Sequence, residues 1–82
     1  MAPPKIKSAS ALEDLTLKVE FRNGVVKLFN LKNVVDRPNY QLLKNFTFFK
    51  NLKVSSDGYS IYWNDEIDIC ENEIWQKGTI IS

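Results

Sequence analysis

The sequence predicts an α+β fold: two antiparallel β-hairpins forming one sheet, with short helices packed on one face. Three observations carry this. "LTLKVEFRNGVVKLFNL" places Asn23-Gly24 between two alternating apolar runs. "LKVSSDGYSIYW" does the same around Asp57-Gly58. Between and after these hairpins the apolar residues recur in pieces of about one helical turn, too short to stand without packing against a sheet.

In chain order, Pro3 and Pro4 keep the amino terminus irregular, and Ile6 begins a first strand. "SALEDL" supplies turn chemistry before Leu15, Leu17, Val19 and Phe21, which alternate with Thr16, Lys18 and Glu20 in the two-residue period of a half-buried strand. Asn23-Gly24 is the pair best suited to a type I′ turn. The return strand, Val25 to Asn30, is apolar on both faces in places. Leu31, Val34 and Val35 fit one helical turn that Pro38 stops, and Pro38 forces Arg37 toward extended geometry. Asn39 is placed to cap a short helix from Tyr40 to Lys44. Phe46, Phe48, Phe49 and Leu52 fit another short turn. The stripe Tyr40, Leu43, Phe46, Phe49 could line a ligand groove, but core is the better reading, because a small domain needs its aromatics for burial.

In the second hairpin Tyr59, Ile61 and Trp63 alternate with Ser60 and Tyr62, and Asn64-Asp65 marks a further turn before Ile67 and Ile69. "CENEIWQKG" predicts a short helix. Glu71 and Glu73 stand near its amino end and Lys77 near its carboxyl end, complementing the helix dipole, and Gly78 suits the cap.

Eighty-two residues make a single small domain, 1–82. A chain this short buries only a little over ~60% of its unfolded surface, so self-association would add to its stability. With 44% hydrophobic and 12% aromatic residues its composition is that of a folded domain. No apolar run approaches a membrane span, and "MAPPKIKSAS" lacks a signal-peptide core, so a cytoplasmic location is expected. A single cysteine, Cys70, fits a reducing compartment.

The sequence contains no histidine. That removes the commonest general acid–base residue and the commonest zinc ligand, and it leaves Cys70 without the usual activating imidazole. The expectation is therefore a non-enzymatic protein with no cofactor. Residues 1–54 hold ten basic and four acidic residues, and residues 55–82 hold one basic and six acidic. Such a division either marks a polar binding face or reflects halves whose charges interleave across a sheet, and the second is the simpler account.

The stretch "YSIYWNDEIDICENEIW", Tyr59 to Trp75, holds five carboxylates, both tryptophans, Cys70 and no positive charge. As a calcium loop it lacks the required glycine and ligand register, so it is not expected to bind a metal. Paired catalytic carboxylates need a cleft for which this chain has little volume. A protein-binding face is the remaining functional reading, with Tyr62, Trp63, Asp65, Glu66 and Asp68 as its candidate residues. Against it, Trp63 shares a face with Ile61 and closes the core equally well, and acids at a strand end discourage edge-to-edge aggregation without any partner. Basic residues are numerous before residue 54, but Lys18 and Glu20 share a strand face and no aromatic-basic RNA-binding motif is present. Nucleic-acid binding is thus expected to be at most weak and salt-sensitive.

These residues together resemble the bacterial family catalogued as domain of unknown function 2442. "FRNG" at Phe21–Gly24 matches its first hairpin, and "FNL" at Phe29–Leu31 stands where Phe-Asp-aliphatic is usual. "LLKNFTFFKNLKV" at Leu42–Val54 matches its helix and following strand. "DGYSIYW" at Asp57–Trp63 and "DI" at Asp68–Ile69 match the second hairpin and the pair after it. The resemblance covers roughly residues 12 to 77. Asn30 departs from the usual Asp, and "NDE" replaces Pro-Asn-Gly after Trp63. The resemblance implies an α+β domain without an established activity. Members resemble small stand-alone domains, sometimes encoded beside another small protein in what looks like a toxin–antitoxin pair. The expected partners are accordingly a protein, including a second copy of this chain as a homodimer. The first alternative is a weak nucleic-acid-associated regulator acting with that partner; the second is a cryptic small-ligand-binding or enzyme domain.

Overall fold

The computed structural model describes residues 4–32 and 34–81. Strands β1 (Ile6–Leu12), β2 (Thr16–Phe21) and β3 (Val26–Asn30) form an antiparallel meander. The same register puts Leu17 opposite Phe29 and Val19 opposite Lys27 on one face, while Lys18 and Glu20 share the other with Ser10 and Ser8. Leu17, Val19 and Phe21 are fully buried, as their alternation predicts. The turn before β2 holds Asp14 (φ 60°) and Leu15 (φ 57°) in the left-handed region, an uncommon conformation for a leucine.

The Asn23-Gly24 hairpin forms, but with a different turn from the one predicted. Phe21 and Val25 bond through Phe21 N–H to Val25 O (2.9 Å), and Gly24 N–H donates to Phe21 O (3.0 Å). Three residues therefore connect the strands, and only Gly24 has positive φ (+90°). This is a type I turn closed by a left-handed glycine rather than a type I′ pair. The Asn23 carboxamide oxygen accepts from Val25 N–H (3.1 Å) and holds the loop.

After β3, Leu31, Val34 and Val35 are buried around a single turn closed by Val35 N–H to Leu31 O (2.9 Å). Arg37 is extended (φ −71°, ψ 139°), as the residue before a proline should be. Here the chain departs from the predicted cap at Asn39. The next element is a 3₁₀-helix, Pro38–Lys44, with Arg37 at its N-cap position. Proline opens a helix readily because its φ is preset and its missing N–H would have been unpaired anyway. Asn45 caps the following turn, α1 (Phe46–Phe49), its side chain accepting from Thr47 N–H (2.9 Å) and Phe48 N–H (3.4 Å).

The second hairpin pairs β4 (Lys53–Val54) with β5 (Ser60–Tyr62), and β6 (Asp68–Cys70) adds to β5. The α+β class and both hairpins stand, but the hairpins fall in two sheets, β1-β2-β3 with a later strand and β4-β5-β6, rather than in one. The β1–β2 ladder is bulged at Ile6–Ser8, and β4 lies beside β1 without joining its ladder. The sheets are linked instead at the start of β1, where Ile6 N–H donates to Gly58 O (2.9 Å). Ile61, Trp63, Ile67 and Ile69 are buried, whereas Tyr59 does not share their face. It is exposed, with Lys5 Nζ lying 3.5 Å above its ring.

Helix α2 (Glu71–Lys77) places Ile74 in the core and sets Trp75 edge-on against Phe21, centroids 5.0 Å apart. Gly78 caps it with φ −75°, so left-handed freedom is not its role. A Cβ there would lie 2.6 Å from Ile74 O and 3.3 Å from Leu28 O, which makes space the reason for glycine. The chain then adds β7 (Thr79–Ile80) beside β3, a strand the sequence did not suggest, completing the order β1-β2-β3-β7.

Two predictions follow from the second hairpin. Gly58 has φ +77°, and a Cβ there would lie 2.7 Å from Lys5 Cβ and 3.0 Å from Ile6 O, whereas a Cβ at Gly24 meets nothing within 4 Å. Gly58→Ala should cost about 3 kcal/mol and Gly24→Ala about 1 kcal/mol, read from denaturant midpoints. The Asp57 carboxyl is held below the ordinary carboxylate range, first by the Ser55 hydroxyl (2.7 Å) and then by Tyr59 N–H (3.0 Å). A lowered folded value favours the folded state above the ordinary value, and the benefit fades as pH falls through the folded one. Asp57 should therefore titrate below the ordinary aspartate value by NMR, and Asp57→Asn should flatten the stability curve below about pH 4.

Candidate functional site

The acidic, aromatic stretch divides when folded. Trp63, 7% exposed, turns inward, stacks on Phe49 at 6.2 Å and donates its Nε1–H to Phe49 O (2.7 Å). It offers no contact surface. Tyr62, half-buried, lies on the outer face of the β4-β5-β6 sheet, directly opposite Asp68 on one side and Lys53 on the other. Asp65 and Glu66 are exposed in the following turn, which Trp63 N–H closes onto Ile67 O (2.9 Å). The Asn64 carboxamide oxygen accepts from Glu66 and Ile67 N–H, both at 2.9 Å, so "NDE" makes a compact turn without Pro-Asn-Gly. The structure thus brings Tyr62, Lys53 and Asp68 together, and sets Asp65 and Glu66 beside them on the strand connection. Among the described residues no three of Cys, Asp or Glu converge as a metal-binding group.

The basic residues are dispersed. Lys27, 6% exposed, lies on the core face of β3 rather than beside Lys18. Its ammonium donates to Trp75 O near the carboxyl end of α2 and sits 4.0 Å from the Trp75 ring centroid. There it meets the negative end of the helix and a π face. Arg37 reaches Glu73 (3.5 Å) and Lys7 reaches Glu20 (3.7 Å).

A second candidate surface lies along the stripe that the sequence reads as core in preference to a ligand groove. A groove of about 340 Å³ is lined by Leu43 and Phe49, both fully buried, and by Asp14, Leu15, Lys32, Lys44 and Phe46. Phe46 is 51% exposed and nearby Leu42 is 56% exposed. The predicted core stripe therefore holds at Leu43 and Phe49 but fails at Phe46. Asn45 is extended (φ −83°, ψ 115°), which interrupts the helical phase between the 3₁₀-helix and α1 and rotates Phe46 outward. The signal available in the sequence was redundancy: Leu42-Leu43 and Phe48-Phe49 are paired apolar residues of which one face can bury only one each.

A family model described as a protein of unknown function, DUF2442, matches residues 6–79. The chain belongs to this family. The match reaches beyond the 12–77 expected, taking in all of β1 and the first residue of β7. No curated protein and no solved structure matches the chain. No helix among the described residues is long and apolar enough to cross a membrane.

The contrast between neighbours Tyr62 and Trp63 is testable by denaturation. Trp63→Phe removes the donor to the buried Phe49 carbonyl and should cost about 2 kcal/mol, while Tyr62→Phe should change stability by less than about 0.5 kcal/mol.

Proposed function

We propose that this chain is a non-enzymatic protein-interaction module that engages its partner through the groove beside Phe46. An apolar side chain of the partner would rest against the exposed Phe46 ring, above buried Leu43 and Phe49, with partner carboxylates facing Lys32 and Lys44. The observation that carries the reading is the half-exposed Phe46 ring in a domain short of core residues. Leaving a phenylalanine in water forgoes roughly 1–2 kcal/mol of burial, which a partner recovers on binding. Aromatic anchors in apolar pockets dominate interface energetics. The resemblance to a family some of whose members are encoded beside another small protein makes the product of an adjacent reading frame the first partner to try.

The absence of histidine from the sequence favours binding over catalysis. The nucleic-acid alternative draws less support, since Lys27 is buried and Arg37 and Lys7 are paired with acids.

Co-purification with the adjacent gene product tests this. Phe46→Asp should abolish stoichiometric retention while leaving the folded spectrum intact, and Tyr62→Ala should not. Retention that survives Phe46→Asp but is lost with Tyr62→Ala or Asp68→Asn would move the site to the outer face of the second sheet.

A further inference from the structure

The alternation of hydrogen bonds across β2 identifies which backbone groups of β1 are unused. Phe21 N–H to Val25 O (2.9 Å) and Leu31 N–H to Leu15 O (2.8 Å) show that odd-numbered residues of β2 bond to β3. Even-numbered residues therefore bond to β1, as Arg22 N–H to Lys5 O (2.8 Å) also shows. With Lys18 opposite Ser10 and Glu20 opposite Ser8, the N–H and C=O groups of Ser8, Ser10 and Leu12 are committed to β2. Those of Ala9 and Ala11 point outward, along the outer edge of the four-stranded sheet.

The other sheet edges among the described residues are guarded. β7 and β4 have two residues each. β6 has three, and its outward Asp68 carbonyl accepts from the Tyr40 hydroxyl (3.1 Å). β1 has seven residues, and past Lys7 its sequence, Ser-Ala-Ser-Ala-Leu, contains no charge and no proline to block a neighbouring strand. β4 packs beside β1 and Gly58 O bonds Ile6 at its start, while no backbone partner takes the outward groups of Ala9 and Ala11 among the described residues.

We propose that this edge pairs with the same edge of a second copy, giving a two-fold dimer with a sheet continuous across both chains. Self-complementarity selects the occupant. An antiparallel pairing with its axis at Ser10 sets Ala9 of one copy opposite Ala11 of the other, so their outward groups bond reciprocally. The same arrangement brings the basic start of the strand, Lys5 and Lys7, toward the acidic turn that ends it in the partner, Glu13 and Asp14. Small Ala9 and Ala11 side chains let the two sheets approach without displacement. This interface uses a different surface from the Phe46 groove and stands or falls separately.

Sedimentation equilibrium of the purified chain, from low micromolar to millimolar concentration, tests the pairing. The wild type should dimerise. Ala9→Pro removes an outward N–H and leaves the β2 ladder intact, so it should be monomeric with a native-like circular dichroism spectrum. Lys7→Glu and Glu13→Lys should each weaken the dimer about tenfold, because each acts twice across the axis, and the double exchange should restore it. If Ala9→Pro fails to fold, the charge exchange decides alone. A chain that stays monomeric throughout, or a dimer indifferent to the charge exchange, overturns the proposal. Either result leaves Phe46-dependent partner retention, and the reading built on it, unaffected.

Discussion

Neither sheet of this chain can shield its own apolar face, so the fold depends on the contact where the start of β1 meets the Ser55–Gly58 turn. Two-residue and three-residue strands such as β4, β5 and β6 have no independent stability in water. They become stable because Ile6 N–H bonds Gly58 O, Lys5 O accepts from Arg22 N–H, and the Arg22 guanidinium reaches Ser56 O (3.5 Å). These bonds bring fully buried Ile6 into the same cluster as Ile61 and Phe49. Gly58 makes the contact possible twice over, by its positive φ and by having no Cβ where Lys5 packs. A turn residue is thereby also the hinge between two sheets.

The carboxyl-terminal half closes the other side through Lys27. A lysine on the core face of a strand would ordinarily be costly, but its stem fills space while its charge meets the Trp75 carbonyl and ring. The helix end is fixed over β3 by that contact, Gly78 passes close to Leu28 O, and β7 falls into register with β3. One buried cation thus positions the helix, its cap and the last strand.

Much of this was legible in the sequence. The period-two pattern located β2 correctly, and the two glycine dipeptides located both hairpins, because strand alternation and turn chemistry are local. Turn type was not legible at Asn23, since a two-residue and a three-residue connection use the same dipeptide and differ only in the pairing of Phe21 with Val25. Phe46 was misplaced because a helical stripe assumes one unbroken phase, and Asn45 breaks it. Lys27 and β7 could not be read at all. Each takes its place from a partner distant in sequence, the end of α2 for one and β3 for the other. Of the predicted binding residues, Tyr62, Asp65, Glu66 and Asp68 do lie on accessible structure, and Trp63 went to the core on the strength of its alternation with Ile61.

The division of charge between the two halves of the sequence does not become a division of the surface. Lys53 lies beside Tyr62 and Asp68, Arg37 crosses to Glu73, and Lys5 covers Tyr59. Exposed pairs of this kind contribute little to stability, and their interleaving cancels much of the field that either half would project alone. With a formal net charge of +1, the chain has no strong long-range attraction for a polyanion or a strongly charged protein. Recognition by such a molecule must then come from short-range fit. Among the described residues the large apolar side chains left exposed are Leu12, Leu42, Phe46, Tyr59, Ile80 and Ile81, and Leu42 and Phe46 are exposed because the helical phase breaks between them at Asn45.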